Sequence, residues 1–487
     1  MTEKLSSRSL GAEIEKTVSD VQTGKSHHIS QNFFKSVGGK PKFSDVAPET
    51  MIGSHRDDIG DVALDNAFNL QETSSRVTNS LPELAETLNL DLQLVQGALA
   101  KEGASIINLA IHPLASTSKE FYQAMVAPKG IYPYILDRGW DHAAGIDGKS
   151  QNSPSTGVNA HEAAKAVTTM IGIGAATVGI FANSPFREGK LSDYQETRLT
   201  MWQRMMGSSR FPGDLKTAQF PEKPFNTIAD YMHWMFGQDT THHFVIHMAN
   251  DRDYKSLGDA IVLIEGDPST IDYLRQDQAS GKFFANNKQP ITLTPSLSHL
   301  EAMQFAQFAG ARIRWGFDHS QIDKDQFLEA LDGNKLEELF SRGTNFIYIE
   351  GRDAGANFAD RQILDQNPDL KNSVHLSPSA LQLGIINNLS KAHQVLIEPY
   401  SWDQLKILRE QAIKKGLNGS AGNLTVFDFA KKALEVAMEG LNPEEQRYLQ
   451  YAVYVLEQKT NGADRAIADF HNGVSIKDIV RSRHVLV

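Results

Sequence analysis

The run AVTTMIGIGAATVGIFA, residues 166–182, constrains the fold of this chain more than any other stretch. Its roughly 17 residues sit at the lower limit for crossing about 30 Å of hydrocarbon. Threonines and glycines interrupt it and polar loops flank it, so it reads as a buried core helix packed closely through its small residues. A helix apolar on all sides needs neighbours all round, and a chain of 487 residues can supply them. The length predicts one large catalytic domain with a helical extension, or two domains.

Composition narrows the function classes. A net charge of −11 argues against a nucleic-acid binder, which needs a basic stripe to displace counterions. There are no cysteines, which excludes disulfides, thiolate metal sites and a cysteine nucleophile, and fits a cytoplasmic protein. The start, MTEKLSSRSL, lacks a hydrophobic signal core, so no export and no membrane partner are expected.

Strand and helix signals alternate along the first three quarters. SLGAEIEKTV (9–18) reads as a strand, and DVALDNAFNLQETSS (61–75) as a second. SLPELAETLNLDLQLVQGALAKEG (80–103) reads as a helix, with a Ser80 cap, an early proline and Gly103 at its end. SIINLAIHP (105–113) reads as a buried strand. A Gly/Ser/Asn-rich loop spans 139–160, and loops on a rigid scaffold often carry function. HHFVIHMA (242–249), DAIVLIEG (259–266) and NFIYIEGRDA (345–354) are further strands. From about residue 375 the text turns helical. This order predicts an α+β fold, with a catalytic domain over 1–375 and a helical C-terminal extension over 376–487 packed on it.

The charged residues raise the chemical question. On a strand, Glu13 and Glu15 point to one face, about 6.5–7 Å apart. That spacing suits two carboxylates sharing a hard cation such as magnesium, or simply a solvated face. Asp65 and Glu72 are seven residues apart, which puts them on opposite faces of one straight strand. They serve one site only if Asp65 precedes the strand or a bulge intervenes. Glu350 and Arg352, at the end of an apolar strand, point together into one cavity, as a phosphate and metal site or as a structural ion pair. Arg198 reads as a carboxylate clamp or a surface arginine, and Trp202 as the wall of a small pocket. The histidine pairs in SHH (26–28) and at 242–243 lack zinc-ligand spacing and read as solvated or satisfied side chains. GIGAAT (172–177) lies inside a helical run, not at a strand-to-helix turn, so it is no dinucleotide fingerprint.

FANSPFREGK, followed by an arginine four residues before a tryptophan (Arg198 and Trp202), resembles the glutamate–cysteine ligases of the plant and proteobacterial type. GAEIEK, the pair Asp65 and Glu72, STGVNAH (155–161) and IYIEGRDAG match that family in order, over roughly residues 9–360. The resemblance implies an antiparallel sheet curled into a funnel with outer helices, related to glutamine synthetase, and an enzyme using ATP and magnesium. It implies Glu13, Glu15, Asp65, Glu72 and Glu350 around the metal ions and Arg352 at the transferred phosphate. It further implies Arg198 holding glutamate with Trp202 nearby, with Asn159 and Tyr132 as substrate contacts and Lys190 on the nucleotide side. His161, beside Asn159, is the candidate for the base that deprotonates the amine.

The expected reaction joins glutamate, activated as γ-glutamyl phosphate, to cysteine in glutathione synthesis. Alternatives are a carboxylate–amine ligase with another acceptor, or a silent protein of the same fold, which predicts loss of the acids. The sequence departs from the family in PKGIY (128–132), where Ile131 replaces a common arginine, and in an apparent insertion between Trp315 and Asn345. Both departures bear on the acceptor more than on the ATP chemistry. Small-molecule substrates are the expected partners.

Overall fold

Leu10–Asp20 forms strand β1, on which the fold is organised. Ala12, Ile14, Lys16 and Val18 alternate onto a buried face, and Glu13 and Glu15 take the other. The computed structural model describes residues 8–144, 148–240, 244–247, 258–285 and 288–487. In chain order β1 is followed by β2 (Lys40–Phe43), β3 (Met51–Arg56), β4 (Gly60–Leu64), β5 (Leu70–Ser75), β6 (Ala104–Ile106) and β7 (Asn152–Gly157). A short hairpin, β8 (Phe186–Arg187) with β9 (Lys190–Leu191), comes next. A separate four-stranded sheet then forms from β10 (Phe244–Ile246), β11 (Ile261–Ile264), β12 (Ala279–Phe283) and β13 (Pro290–Leu293). The chain returns to the first sheet with β14 (Ala311–Phe317) and β15 (Thr344–Gly351).

The main sheet has nine strands in the order β14-β15-β7-β1-β5-β4-β3-β2, with β6 paired to the C-terminal part of β1. All its pairings are antiparallel, and its path runs from β14 to β2 without closing. The α+β class and the antiparallel sheet match the expectation. One face packs against helices: α2 (Leu81–Ala100) lies on β1, β5 and β6, α5 (Ala160–Gly172) on β14 and β15, and the helix Ser377–Asn387 on β7. Beneath α2, the fully buried Lys16 pairs with Asp91 at 2.8 Å and donates to Gln71 Oε1 and Thr73 Oγ1.

These helices are numbered in order: α1 (Gln31–Val37), α2 (Leu81–Ala100), α3 (Lys119–Met125), α4 (Ile131–Arg138), α5 (Ala160–Gly172), α6 (Gly174–Phe181) and α7 (Arg198–Met206). α2 begins as expected, with the Ser80 hydroxyl accepting from the Glu83 N–H. Four expectations are corrected. The 139–160 segment is not all loop, since Asn152–Gly157 forms β7 between β15 and β1. The 61–75 segment is two strands, β4 and β5, because residues 65–69 turn between them. Only Ala104–Ile106 of 105–113 and its flank is a strand; the rest is irregular, held by isolated bridges Ile107 to His484 and Ile111 to Lys149. The apolar run is two helices, α5 and α6, bent by 49°. The break serves close packing: a Cβ on Gly172 would lie 2.4 Å from Ile397 Cδ1, and one on Gly174 would lie 2.4 Å from Asp353 Oδ2. Among the described residues no single helix is long and apolar enough to cross a membrane.

His27 pairs with Glu102 at 3.0 Å and His28 stacks on Phe68 with ring centroids 4.2 Å apart, so both are satisfied. His242 and His243 lie outside the described residues, as does part of the 242–249 strand expectation. The apparent insertion is a pair of helices, Lys324–Asp332 and Leu336–Gly343, between β14 and β15. After residue 375 the chain is helical, apart from a two-strand hairpin at 420–425. The helix Trp402–Lys415 packs on α6. The last residues are tied back, the Val485 N–H to the Ile106 carbonyl at 3.0 Å and the Leu486 N–H to the Ala359 carbonyl at 3.0 Å.

Candidate active site

Directly opposed residues of antiparallel strands share a face, and this rule gathers the acids. Glu15 lies opposite Glu72 of β5, and Glu72 opposite Ala63 of β4. Asp65 is two residues beyond Ala63, just past the end of β4, so it reaches the same face. The odd separation from Glu72, which opposes them on one strand, unites them across a hairpin. On the other side of β1, Glu350 lies opposite Arg312 of β14 and Ser155 of β7.

One oxygen from each of Glu15, Asp65 and Glu72 falls within 4.8 Å of the others, and this is the grouping among the described residues that could hold a metal ion. Hard oxygen donors of this kind suit magnesium. Lys149 Nζ lies 2.9 Å from both oxygens of Glu15 and 3.8 Å from Asp65 Oδ2. Asn66 donates to Asp65 Oδ2 at 2.9 Å, and the Tyr132 hydroxyl donates to the Asp65 carbonyl at 3.0 Å.

Glu350 anchors a second cluster. It is wholly buried, with Arg312 Nη2 at 2.7 Å and Arg352 Nη1 at 2.8 Å from Oε1, and Arg314 Nε at 3.6 Å from Oε2. Burial alone would raise its pKa, but Arg312, Arg352 and Arg314 outweigh it and hold the carboxyl at about 2. Glu13 goes the other way: burial, and then the like charges of Glu350 and Glu72, push it up to about 7. Burial raises Glu15 too, with Asp65 adding to it and Lys149 opposing it.

A cavity of about 90 Å³ joins these groups. Glu13, Glu15, Asp65, Glu72, Lys149, Arg312 and Arg352 line its polar part. Ile131 and Tyr132 from α4, Trp202 and Met205 from α7, and Trp140, His142, Phe305 and Phe308 wall it. Trp202 stacks on Phe308, ring centroids 4.4 Å apart, with Lys149 at 5.4 Å and Arg352 at 5.8 Å from its ring.

Seven of the expected site residues thus meet in one cavity: Glu13, Glu15, Asp65, Glu72, Tyr132, Trp202 and Arg352. Glu350 sits behind its lining as the anion shared by three arginines. Arg198 is not in the cavity lining. It is fully buried, and its guanidinium donates to Glu196 Oε1 (2.7 Å), Gln151 Oε1 (3.0 Å), the Arg352 carbonyl (3.2 Å) and the Asp353 carbonyl (3.0 Å). These bonds tie it to the segment bearing Arg352, which Arg409 also holds through Asp353 at 3.0 Å.

Three expected contacts lie elsewhere. Asn159 caps α5, accepting from the Glu162 N–H at 3.0 Å, and its side chain is committed there. Lys190 is exposed on the β8–β9 hairpin opposite Arg187. His161 is exposed and lies 3.3 Å from Ser341 Oγ, away from the cavity lining. Sequence reasoning missed Lys149 and Arg312. Alternation in RIRW put Arg312 and Arg314 on the Glu350 face; Lys149 had only its place in a Gly/Ser/Asn-rich loop. It also missed that five clustered acids meet four of the chain's own cations, Lys149, Arg312, Arg314 and Arg352, so the clustering does not by itself demand metal ions.

A sheet face that collects carboxylates and guanidinium groups around one cavity suits chemistry on phosphoryl groups, with carboxylates for a hard cation and guanidinium groups for phosphate oxygens. Residues 9–250 match the model of glutamate-cysteine ligase family 2, and through this half the chain belongs to that family of enzymes. The fold is similar to that of the glutamate–cysteine ligase of Francisella tularensis, solved in complex with AMP. TM-score is 0.52 at 12% identity, over 98% of this chain and 88% of that one. A bifunctional glutathione synthetase from Pasteurella multocida aligns at TM-score 0.48 and 12% identity, over 97% of this chain and 51% of that one. No curated protein matches the chain.

Proposed function

We propose that the protein is an ATP- and magnesium-dependent γ-glutamyl ligase joining glutamate to cysteine through γ-glutamyl phosphate. The observation that carries this reading is the convergence of Glu15, Asp65 and Glu72 with Arg352 on one cavity. The three carboxylates are the residues to hold magnesium, which supplies charge neutralisation on the transferring phosphoryl group. Arg352 is fixed from both sides, by Glu350 on its guanidinium and by Arg198 and Gly310 on its backbone. Its planar cation then meets phosphoryl oxygens without reorganising.

A γ-carboxylate oxygen of glutamate attacks the terminal phosphorus of ATP and ADP leaves. The acceptor nitrogen attacks the resulting acyl carbon, its proton is lost, and phosphate departs with the former carboxylate oxygen. The aromatic wall of Trp140, Trp202, Phe305 and Phe308 keeps water from the acyl phosphate. We assign catalysis to residues 1–375 and support to 376–487, whose Arg409 holds Asp353.

Ile131 supports a second reading with another amine acceptor. It lines the cavity where the resembling family commonly has arginine, Arg198 is outside the lining, and the cations that do line it, Lys149, Arg312 and Arg352, are paired with Glu15 and Glu350. Incubation with ATP, magnesium, glutamate and a panel of amines, read by ADP release and product mass, separates the two. Cysteine-dependent γ-glutamylcysteine supports the first reading; turnover with a different amine only supports the second; no turnover with any amine rejects both.

A further inference from the structure

Lys149 is buried against Glu15 and Asp65 of the acid trio, and no step of the reaction above uses it. Two of its N–H groups are spent on the two oxygens of Glu15, and Asp65 Oδ2 is its next anion at 3.8 Å. Its ammonium therefore occupies the lone pairs through which Glu15 would bind a cation. The backbone around it is fixed: Gly148 accepts from the His112 N–H at 2.8 Å, Ser150 donates to the Ala110 carbonyl at 2.8 Å, and Lys149 itself bridges to Ile111. The four-carbon stem leaves the head able to swing while the backbone stays.

We propose that Lys149 is a built-in counter-ion of the Glu15, Asp65 and Glu72 site, which a divalent ion must displace in order to bind. The inference rests on the metal role assigned to those acids above. Lys149 keeps three clustered carboxylates compatible with a folded, metal-free protein, and by the same contacts it sets the affinity for the divalent ion. It acts as a gate on loading: the site discriminates against weakly charged ions, because only a cation that outbids an ammonium for Glu15 enters. Displacement also removes a cation from the Trp202 ring, 5.4 Å away.

The test is Mn²⁺ binding to the full-length protein without nucleotide, by calorimetry and by electron paramagnetic resonance of free Mn²⁺. Wild type is compared with Lys149→Met, Lys149→Gln and Lys149→Arg, with circular dichroism confirming the fold. Tightening of tenfold or more in a folded neutral variant, with the Arg variant no tighter than wild type, is the expected result. Mn²⁺ should also raise the melting temperature of the neutral variants more than that of wild type. A smaller change or weaker binding in the neutral variants, while wild type binds, overturns the inference and leaves the ligase reading intact. If neither wild type nor the neutral variants bind Mn²⁺, the metal assignment beneath it falls as well.

Discussion

Replacing Arg198 by lysine separates a substrate clamp from a scaffold. The lysine keeps a positive charge beside Glu196, which also accepts from the Asn183 N–H at 2.8 Å and the Ser184 hydroxyl at 3.0 Å. It cannot reach across to Gln151 Oε1 and to the Arg352 and Asp353 carbonyls, all served now by one planar group. Three buried acceptors losing donors, at about 1–2 kcal/mol each, predict a loss of about 3–6 kcal/mol. The Arg352 segment then loosens and kcat falls by at least tenfold, while KM for the acid substrate moves by less than about threefold. Urea denaturation followed by tryptophan emission measures the first, and steady-state kinetics on the folded fraction measure the second. Stability within about 1 kcal/mol of wild type together with a KM raised about a hundredfold would refute the reasoning and restore Arg198 as a clamp.

Glu350→Gln should destabilise by about 3–5 kcal/mol, because Arg312, Arg314 and Arg352 lose their shared buried anion; an unchanged denaturation midpoint would show that the arginines have other partners. Glu13 sits at about 7 in the folded protein against an ordinary 4.5, so the native state holds the extra proton between those values. Its contribution is therefore favourable below about 4.5 and is lost as pH rises through 7. Glu13→Gln should flatten stability between pH 5 and 8, and a variant retaining the wild-type slope there removes Glu13 as its source. Lys16→Met alone should cost about 3–5 kcal/mol by stranding Asp91, and Lys16→Met with Asp91→Leu should recover most of it; chemical denaturation of both variants checks this, and a double variant as unstable as the single one goes against it.

Much of the site was readable in the sequence wherever chemistry follows strand alternation. Glu13 with Glu15, and Glu350 with Arg352, needed only the period of two. Asp65 with Glu72 needed a turn at 65–69 that the apolar pattern of 61–75 does not announce, since AFNL continues the alternation through the loop. Arg198 shows where local reading ends: its spacing to Trp202 is visible, but burial against two carbonyls some 150 residues away is a tertiary fact. Lys149 was hidden for the same reason, 134 residues from the glutamate it pairs with. The bend between α5 and α6 escaped because the glycines that permit it also suit a straight, tightly packed helix. What requires glycine at 172 and 174 is the close approach of Ile397 and Asp353, which only the tertiary structure reveals.

The central claim is that a carboxylate is activated by phosphoryl transfer in this cavity, and oxygen tracing tests it most directly. Glutamate carrying ¹⁸O in its γ-carboxylate is incubated with the protein, ATP, magnesium and the accepted amine, and the released phosphate is analysed by mass spectrometry. One ¹⁸O atom per phosphate is predicted, with release depending on the amine and abolished in Arg352→Met. Phosphate free of ¹⁸O, released at the same rate with or without glutamate, would contradict the account.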